Sequence, residues 1–179
     1  MILIINLNQG NLGFNEFCLP VYDIVSKIEE CTIQHYTSAK VSSSFSRIIL
    51  SGTPLMDNEY LNSIEDFQWL KSCTIPVLGI CAGMQVMGLV FGSSLVPCLE
   101  IGMTHVTTLK ENALVSSSFS AYSLHRYGII PSSDFDVLAR STLCVQVVKH
   151  ARRDLYGVLF HPEVRNKEVV REFVTAGSA

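Results

Sequence analysis

The sequence predicts an α/β fold: a mainly parallel central sheet with helices on both faces and an antiparallel extension in the second half. Three observations predict it. As far as Gly92, strand-length apolar runs alternate with helix-length patterns, the order that builds a parallel sheet covered on both sides. Runs such as Ile75-Pro76-Val77-Leu78-Gly79-Ile80 are apolar without alternation, as strands buried on both faces are. After Gly92 the chain turns to short strand-like pieces separated by turn residues, which suit antiparallel additions.

Taken in order, Met1–Leu7 is an apolar run of strand length, followed by a polar turn, N-Q-G-N-L-G. A helical pattern then runs to about Glu30, with Phe14, Phe17, Val21, Ile24, Val25 and Ile28 on one side; Pro20 should kink or split it. Cys31–Tyr36 reads as a second strand, and the Ser-rich piece to Ser46 as a loop or weak helix. Arg47–Ser51 is a third strand, closed by Gly52-Thr53-Pro54. Glu59–Lys71 is amphipathic and reads as a helix, leading into the strand Pro76–Ile80 and a helix from Met84. In the second half, strands are expected at Leu95–Pro97, Met103–Leu109, Ala121–His125, Val137–Ala139, Leu143–Lys149 and Leu155–Phe160, and a closing helix at Asn166–Thr175. No repeat or linker interrupts the chain, so residues 1–179 read as a single domain.

Composition narrows the function classes. At 179 residues, 48% hydrophobic and 16% charged, the chain can bury a real core. A net charge of −3, with no run of like charges, gives no support for a nucleic-acid surface. The start, M-I-L-I-I-N-L-N, lacks the basic residues of a signal peptide, and Pro76 with four glycines argues against a membrane span at Ile75–Gly92. Six cysteines are scattered with no C-x-x-C pair and five histidines are dispersed. That pattern suits reduced thiols in a cytoplasm, with no metal site or cofactor expected.

Cys81 has an unusual setting, Gly79-Ile80-Cys81-Ala82-Gly83. Glycines two before and two after suit a sharp strand-to-helix turn, where flanking side chains would collide. With serine in place of cysteine this frame is the nucleophile elbow, which raises its reactive atom to the exposed C-terminal edge of a sheet. The following helix N-terminus favours thiolate there, and the Ala82 amide would point to where an oxyanion forms. A buried free cysteine beside helix-packing glycines is the competing reading. A cysteine nucleophile needs a base and a group to orient it. His161 and Glu163, with Pro162 between them, directly follow an apolar strand, where parallel sheets place their sites. By itself H-P-E fits equally well a strand-end histidine beside a surface acid.

Together, G-I-C-A-G-M-Q, the downstream Y-G-V-L-F-H-P-E-V and the loop I-I-L-S-G-T-P at Ile48–Pro54 resemble the class I glutamine amidotransferases. The resemblance spans nearly the whole chain. It implies a flavodoxin-like three-layer architecture and a Cys81–His161–Glu163 triad that hydrolyses the side-chain amide of L-glutamine through a γ-glutamyl thioester. It further implies oxyanion amides from Ala82 and from the Gly52-Thr53 loop, and Gln85 as a group that binds substrate glutamine. From Pro131 onward the tail is similar to the glutaminase part of GMP synthetase, and the length is similar to the separate archaeal glutaminase subunit. That implies ammonia delivery to an ATP-dependent, XMP-aminating synthetase on another chain, because this chain carries no P-loop and no S-G-G-x-D-S motif.

Two departures from the family pattern bear on the site. Thr53 replaces a usual glycine, and a positive φ there would be costly for a β-branched residue. Ser123–Gly128 replaces S-H-x-D-x-V without its acid, as a shortened loop in which His125 reads as a turn histidine. Two other functions remain open on the same fold: a stand-alone γ-glutamyl hydrolase or peptidase, and a non-catalytic regulatory relative.

Overall fold

The computed structural model describes residues 1–176. Its strands are β1 (Ile2–Asn6), β2 (Cys31–His35), β3 (Arg47–Leu50), β4 (Val77–Ile80), β5 (Ser94–Thr108), β6 (Phe119–Ile130), β7 (Phe135–Arg140), β8 (Val145–His150) and β9 (Leu155–Val158). They form one nine-stranded sheet among the described residues, in the order β2-β1-β3-β4-β9-β8-β7-β5-β6. The pairs from β2 to β9 are parallel and the rest antiparallel. The expected mainly parallel sheet with an antiparallel extension is therefore present.

Alternation along β1 divides the core into two. Ile2 and Ile4 face a layer containing α2 (Leu19–Val25) and α4 (Glu168–Thr175), through Val21, Ile24, Val170 and Phe173. Leu3 and Ile5 face the opposite layer, through Tyr60, Phe67, Met84 and Val86. The second of these layers includes α3 (Ala82–Val90), in which every residue except Leu89 is buried. A helix apolar all round belongs inside.

Several elements differ from expectation, each for a local reason. The first helical run ends at Val25 rather than Glu30, and it is split as expected around Pro20: the short α1 (Asn11–Gly13) passes through a π-helical turn, Phe14–Cys18, into α2, which has Pro20 in its first turn. Pro20 has no amide to give to an i→i−4 ladder, and the wider turn just before it absorbs that loss. Glu59–Lys71 is a 3-10 segment, with non-helical backbone at Ser63 (φ −126°, ψ 29°). Asn62, Ser63 and Asp66 are of residue types that disfavour an α-helix interior, because their short polar side chains can bond to nearby backbone in other conformations. The two strands expected at Leu95–Pro97 and Met103–Leu109 are one strand, β5, which forms a long ribbon with β6. Ser123–Gly128 lies inside β6, so it is strand and not a loop.

The sharp turn after β4 is held by close packing. A Cβ on Gly79 would lie 2.5 Å from the Gly83 carbonyl carbon, and one on Gly83 would lie 2.6 Å from both the Cβ and the carbonyl oxygen of Leu50. Neither glycine has positive φ; the residue with that conformation is Cys81 itself. Gly83→Ala should therefore destabilise the fold by about 1–3 kcal/mol, as overpacking does, read as a lower urea midpoint. Gly10→Ala, which meets nothing within 4 Å, is the control and should shift stability by no more than about 0.5 kcal/mol. Equal midpoints for the two variants would show that α3 can move away from β3.

Candidate active site

The turn between β4 and α3 places Cys81 at φ 48°, ψ −100°, a region that L-residues avoid and that costs of order 1–3 kcal/mol. Its amide donates to the Val158 carbonyl at 2.8 Å, which ties the turn to β9. The side chain is not exposed as expected from the elbow frame: Cys81 is only 4% accessible, because β6 and the 53–58 loop cover it.

His161 follows β9 and is fully buried, with Phe17 from the π-helical turn against its ring at 4.9 Å between centroids. Its Nδ1 lies 2.7 Å from Glu163 Oε1, also buried. Glu163 Oε2 has no hydrogen-bond partner among the described residues, so the imidazole is the main polar contact of this carboxylate. Burial alone would lower the His161 pKa. The carboxylate of Glu163, followed by Cys81, outweighs it and holds the imidazole well above its ordinary range. The sign for stability follows: the pair's contribution is present below about pH 6.5, the unfolded imidazole range, and is lost as pH rises through the raised value.

Cys81 Sγ and His161 Nε2 converge on one acceptor, the Leu124 carbonyl of β6, at 3.8 and 3.4 Å. Gly52 lies beside both: a Cβ there would be 2.6 Å from His161 Cε1 and 3.6 Å from Cys81 Cβ. The loop that holds Gly52 is fixed by a buried polar network at the ends of β1 and β3. Asn8 Nδ2 donates to the Gly52 carbonyl at 3.1 Å, Ser51 Oγ accepts the Leu7 amide at 3.1 Å, and Asn6 Oδ1 accepts the Asn8 amide at 3.0 Å.

Thr53 does not have positive φ. Its hydroxyl donates to the Asp57 carbonyl at 2.9 Å, so the residue is accommodated without the cost expected from the family pattern. No hydrogen bond among the described residues uses the Thr53 or Ala82 amide. Gln85 is buried, accepting from the Tyr60 hydroxyl and donating to the Tyr127 carbonyl at 2.8 Å. Its amide is therefore spent on the wall of the site.

The structure thus brings Cys81, His161, Glu163 and Gly52 together, with Thr53 and Gln85 lining the same pocket. It also brings in Asn8, Phe17, Tyr60 and the Leu124 carbonyl, which the sequence reading missed. Only Asn8 left a signal, as a second asparagine in N-x-N directly after an apolar strand.

The family model of class-I glutamine amidotransferases matches residues 21–176. The chain belongs to that family. Among its relatives is a glutamine-hydrolyzing GMP synthase subunit from Methanothrix thermoacetophila, 36% identical over 70% of this chain and 71% of that protein. The subunit of the same name from Methanococcus maripaludis strain C7 is 35% identical over 94% and 90%. A crystal structure from Thermoplasma acidophilum, described as that of the same type of GMP synthase subunit, superposes with a TM-score of 0.82 at 25% identity, covering 97% of this chain and 92% of that one. A Thermotoga maritima glutamine amidotransferase shares the fold, with a TM-score of 0.70 at 17% identity over 99% and 82%.

In this amidotransferase chain the raised imidazole pKa depends on Glu163. Glu163→Gln should move the His161 titration down, because burial is then opposed by Cys81 without the carboxylate, followed by NMR of the ring protons. An unchanged midpoint would mean that Glu163 does not set the charge of this histidine.

Proposed function

We propose that the chain is a glutaminase subunit that releases ammonia from L-glutamine for a separate synthetase. The carrying observation is the buried His161–Glu163 pair beside a cysteine at a strained strand-to-helix turn. In this reading the Cys81 thiol proton passes to His161, and the sulfur attacks the side-chain amide carbon. The oxyanion forms against the unclaimed amides of Ala82 and Thr53. Collapse breaks the C–N bond, and the imidazolium gives its proton to the leaving ammonia. Water then attacks the γ-glutamyl thioester with His161 as base, releasing glutamate and restoring the thiol. Glu163 stabilises the imidazolium that forms in each half.

Two features favour a subunit over a stand-alone hydrolase. The pocket beside Cys81, between the 53–58 loop and β6, has room for about one water molecule. Glutamine enters only if one wall moves. Next to that wall, Leu99, Ile101 and Met103 project from β5 at 59%, 61% and 57% exposure, and Ile101 pairs directly with Leu124. We read this exposed apolar row as a protein contact, the use that contiguous apolar surface commonly has. A synthetase docked there would act on the strand that closes the pocket. The partner suggested by the names of the relatives is the ATP-dependent, XMP-aminating component of a GMP synthase, with both proteins in the cytoplasm. No helix among the described residues is long and apolar enough to cross a membrane.

Ammonia release from glutamine should be slow for the chain alone and should rise at least about tenfold when the synthetase component, ATP and XMP are added. Such a rise corresponds to about 1.4 kcal/mol of barrier. Cys81→Ala should abolish both rates, and Ile101→Asp should remove the stimulation while leaving the basal rate. Full turnover without a partner, with γ-glutamyl peptides preferred to glutamine, would establish the stand-alone hydrolase instead.

A further inference from the structure

Cys98, Glu100, His125 and Cys144 are dispersed in sequence, and the fold gathers them. A bulge in β5 inserts one extra residue between Pro97 and Glu100, opposite Tyr127 to His125 of β6. It turns Cys98 and Glu100 inward while Leu99 stays outside. His125 is the direct cross-strand partner of Glu100. Cys144 ends the tight turn from Ser141 that leads into β8. Gly128 leaves space for both thiols, since a Cβ there would lie 3.3 Å from Cys144 Cβ and 3.4 Å from Cys98 Cβ. One ligand atom from each of the four side chains lies within 4.8 Å of the other three.

The arrangement of lone pairs points to a cation. His125 Nδ1 is 3.0 Å from the Cys98 carbonyl, which can only accept, so Nδ1 carries a proton and, in the neutral ring, Nε2 carries a lone pair. That buried Nε2 lies 3.2 Å from Glu100 Oε2 yet has no hydrogen-bond partner among the described residues. With the ring neutral, two lone-pair atoms facing each other in a dry site repel unless a positive centre, a further proton or a metal ion, lies between them. Two of the spacings suit a metal ion. Ordinary zinc bond lengths of about 2.0–2.3 Å put tetrahedral ligand atoms roughly 3.3–3.8 Å apart. Nε2 to Oε2 is 3.2 Å and Cys144 Sγ to Oε2 is 3.4 Å. The supporting contacts are also built: Nδ1 is held by a carbonyl, and Gln146 Nε2 donates to Glu100 Oε2 at 2.6 Å.

We infer that Cys98, Glu100, His125 and Cys144 form a closed tetrahedral site for a divalent transition ion of the zinc class. Two sulfurs and an imidazole select such an ion over magnesium or calcium, which take oxygen ligands. Both thiols lose their protons to solvent on binding, and no redox step is involved. With all four positions supplied by the protein, the ion's role is structural. It fastens the β5–β6 ribbon to the turn before β8. Through β6 it also fixes the Leu124 carbonyl that faces Cys81 and the Tyr122 carbonyl that accepts the His161 amide at 2.8 Å.

The full chain, expressed with zinc chloride in the medium and desalted, should retain about one zinc per chain by elemental analysis. After chelator stripping, added cobalt(II) chloride should give thiolate-to-cobalt charge-transfer and tetrahedral d–d absorption. Both signals should be lost in Cys144→Ser and weakened at least about tenfold in affinity in Glu100→Gln. Cys31→Ser, a half-buried cysteine elsewhere, should keep them. If the variants fail to fold, the metal content and cobalt spectrum of the unaltered chain decide. No retained metal and no cobalt spectrum in that chain would overturn the assignment. So would full retention in Cys144→Ser, or a Cys98–Cys144 disulfide found by mass mapping of the chain as isolated.

Discussion

The rest of the molecule depends on how closely α3 approaches the ends of β3 and β4. Two side chains reduced to hydrogen, at Gly79 and Gly83, let the helix backbone come within contact of Leu50 and of its own preceding strand. The chain can make that turn only if Cys81 takes a conformation foreign to L-residues. The cost is set against an α3 that is buried on nearly every side. Met84, Val86 and Met87 are each fully buried, and such side chains contribute about 1.5–3 kcal/mol apiece. The strained thiol is thus maintained by packing that has no chemical role.

The same edge of the sheet gathers buried polar groups, most of them answered by a neighbour. Asn6, Asn8 and Ser51 bond to one another and hold the Gly52 loop against His161, while Asn8 Oδ1 has no partner among the described residues. The His161–Glu163 pair is closed within itself, since one carboxylate oxygen has no other partner. A buried ion pair gives little net stability once desolvation is counted. Here its consequence is electrostatic: it keeps the imidazole ready to carry charge beside the sulfur. The edge is therefore costly in polar burial and organised in chemistry, a combination that functional sites share.

How much of this was legible in the sequence depended on the range of the physics involved. The parallel half of the sheet was legible because strands buried on both faces leave unbroken apolar runs. Cys81 with its glycines and His161 with Glu163 were legible because each constraint acts within a few residues. The burial of Cys81 was not, since β6 and the 53–58 loop cover it from far along the chain. Thr53 does not carry the strain that its place in the motif suggests, because its φ is set by a loop tied down through Asn8. The 3-10 backbone of Glu59–Lys71 was hidden by a helical hydrophobic pattern, since periodicity reports a buried face and not a hydrogen-bond register. The Cys98–Cys144 cluster was illegible for the plainest reason: its four members meet only when β5, β6 and the turn before β8 are paired.

That pairing gives β6 a position between two chemistries. Neighbouring side chains on a strand point to opposite faces, and here Leu124 contributes its backbone carbonyl while His125 contributes its ring. The Leu124 carbonyl is shared by Cys81 and His161, while the His125 ring is held among Cys98, Glu100 and Cys144. A displacement of β6 sufficient to admit glutamine would shift both sets of contacts together. The exposed row on β5 is registered to these residues, with Ile101 opposite Leu124 and Glu100 opposite His125. Backbone pairing therefore links the outside of the ribbon directly, without an intervening loop, to the acceptor shared by the thiol and the imidazole. Among the described residues the ribbon's ladder pairs with the main sheet are Thr107–Arg140 and Thr108–Ala139, and further ties run from the Tyr122 carbonyl to the His161 amide, from the Tyr127 carbonyl to Gln85 and from Glu100 to Gln146. The site lies under the inner face of the ribbon and is closed by those contacts.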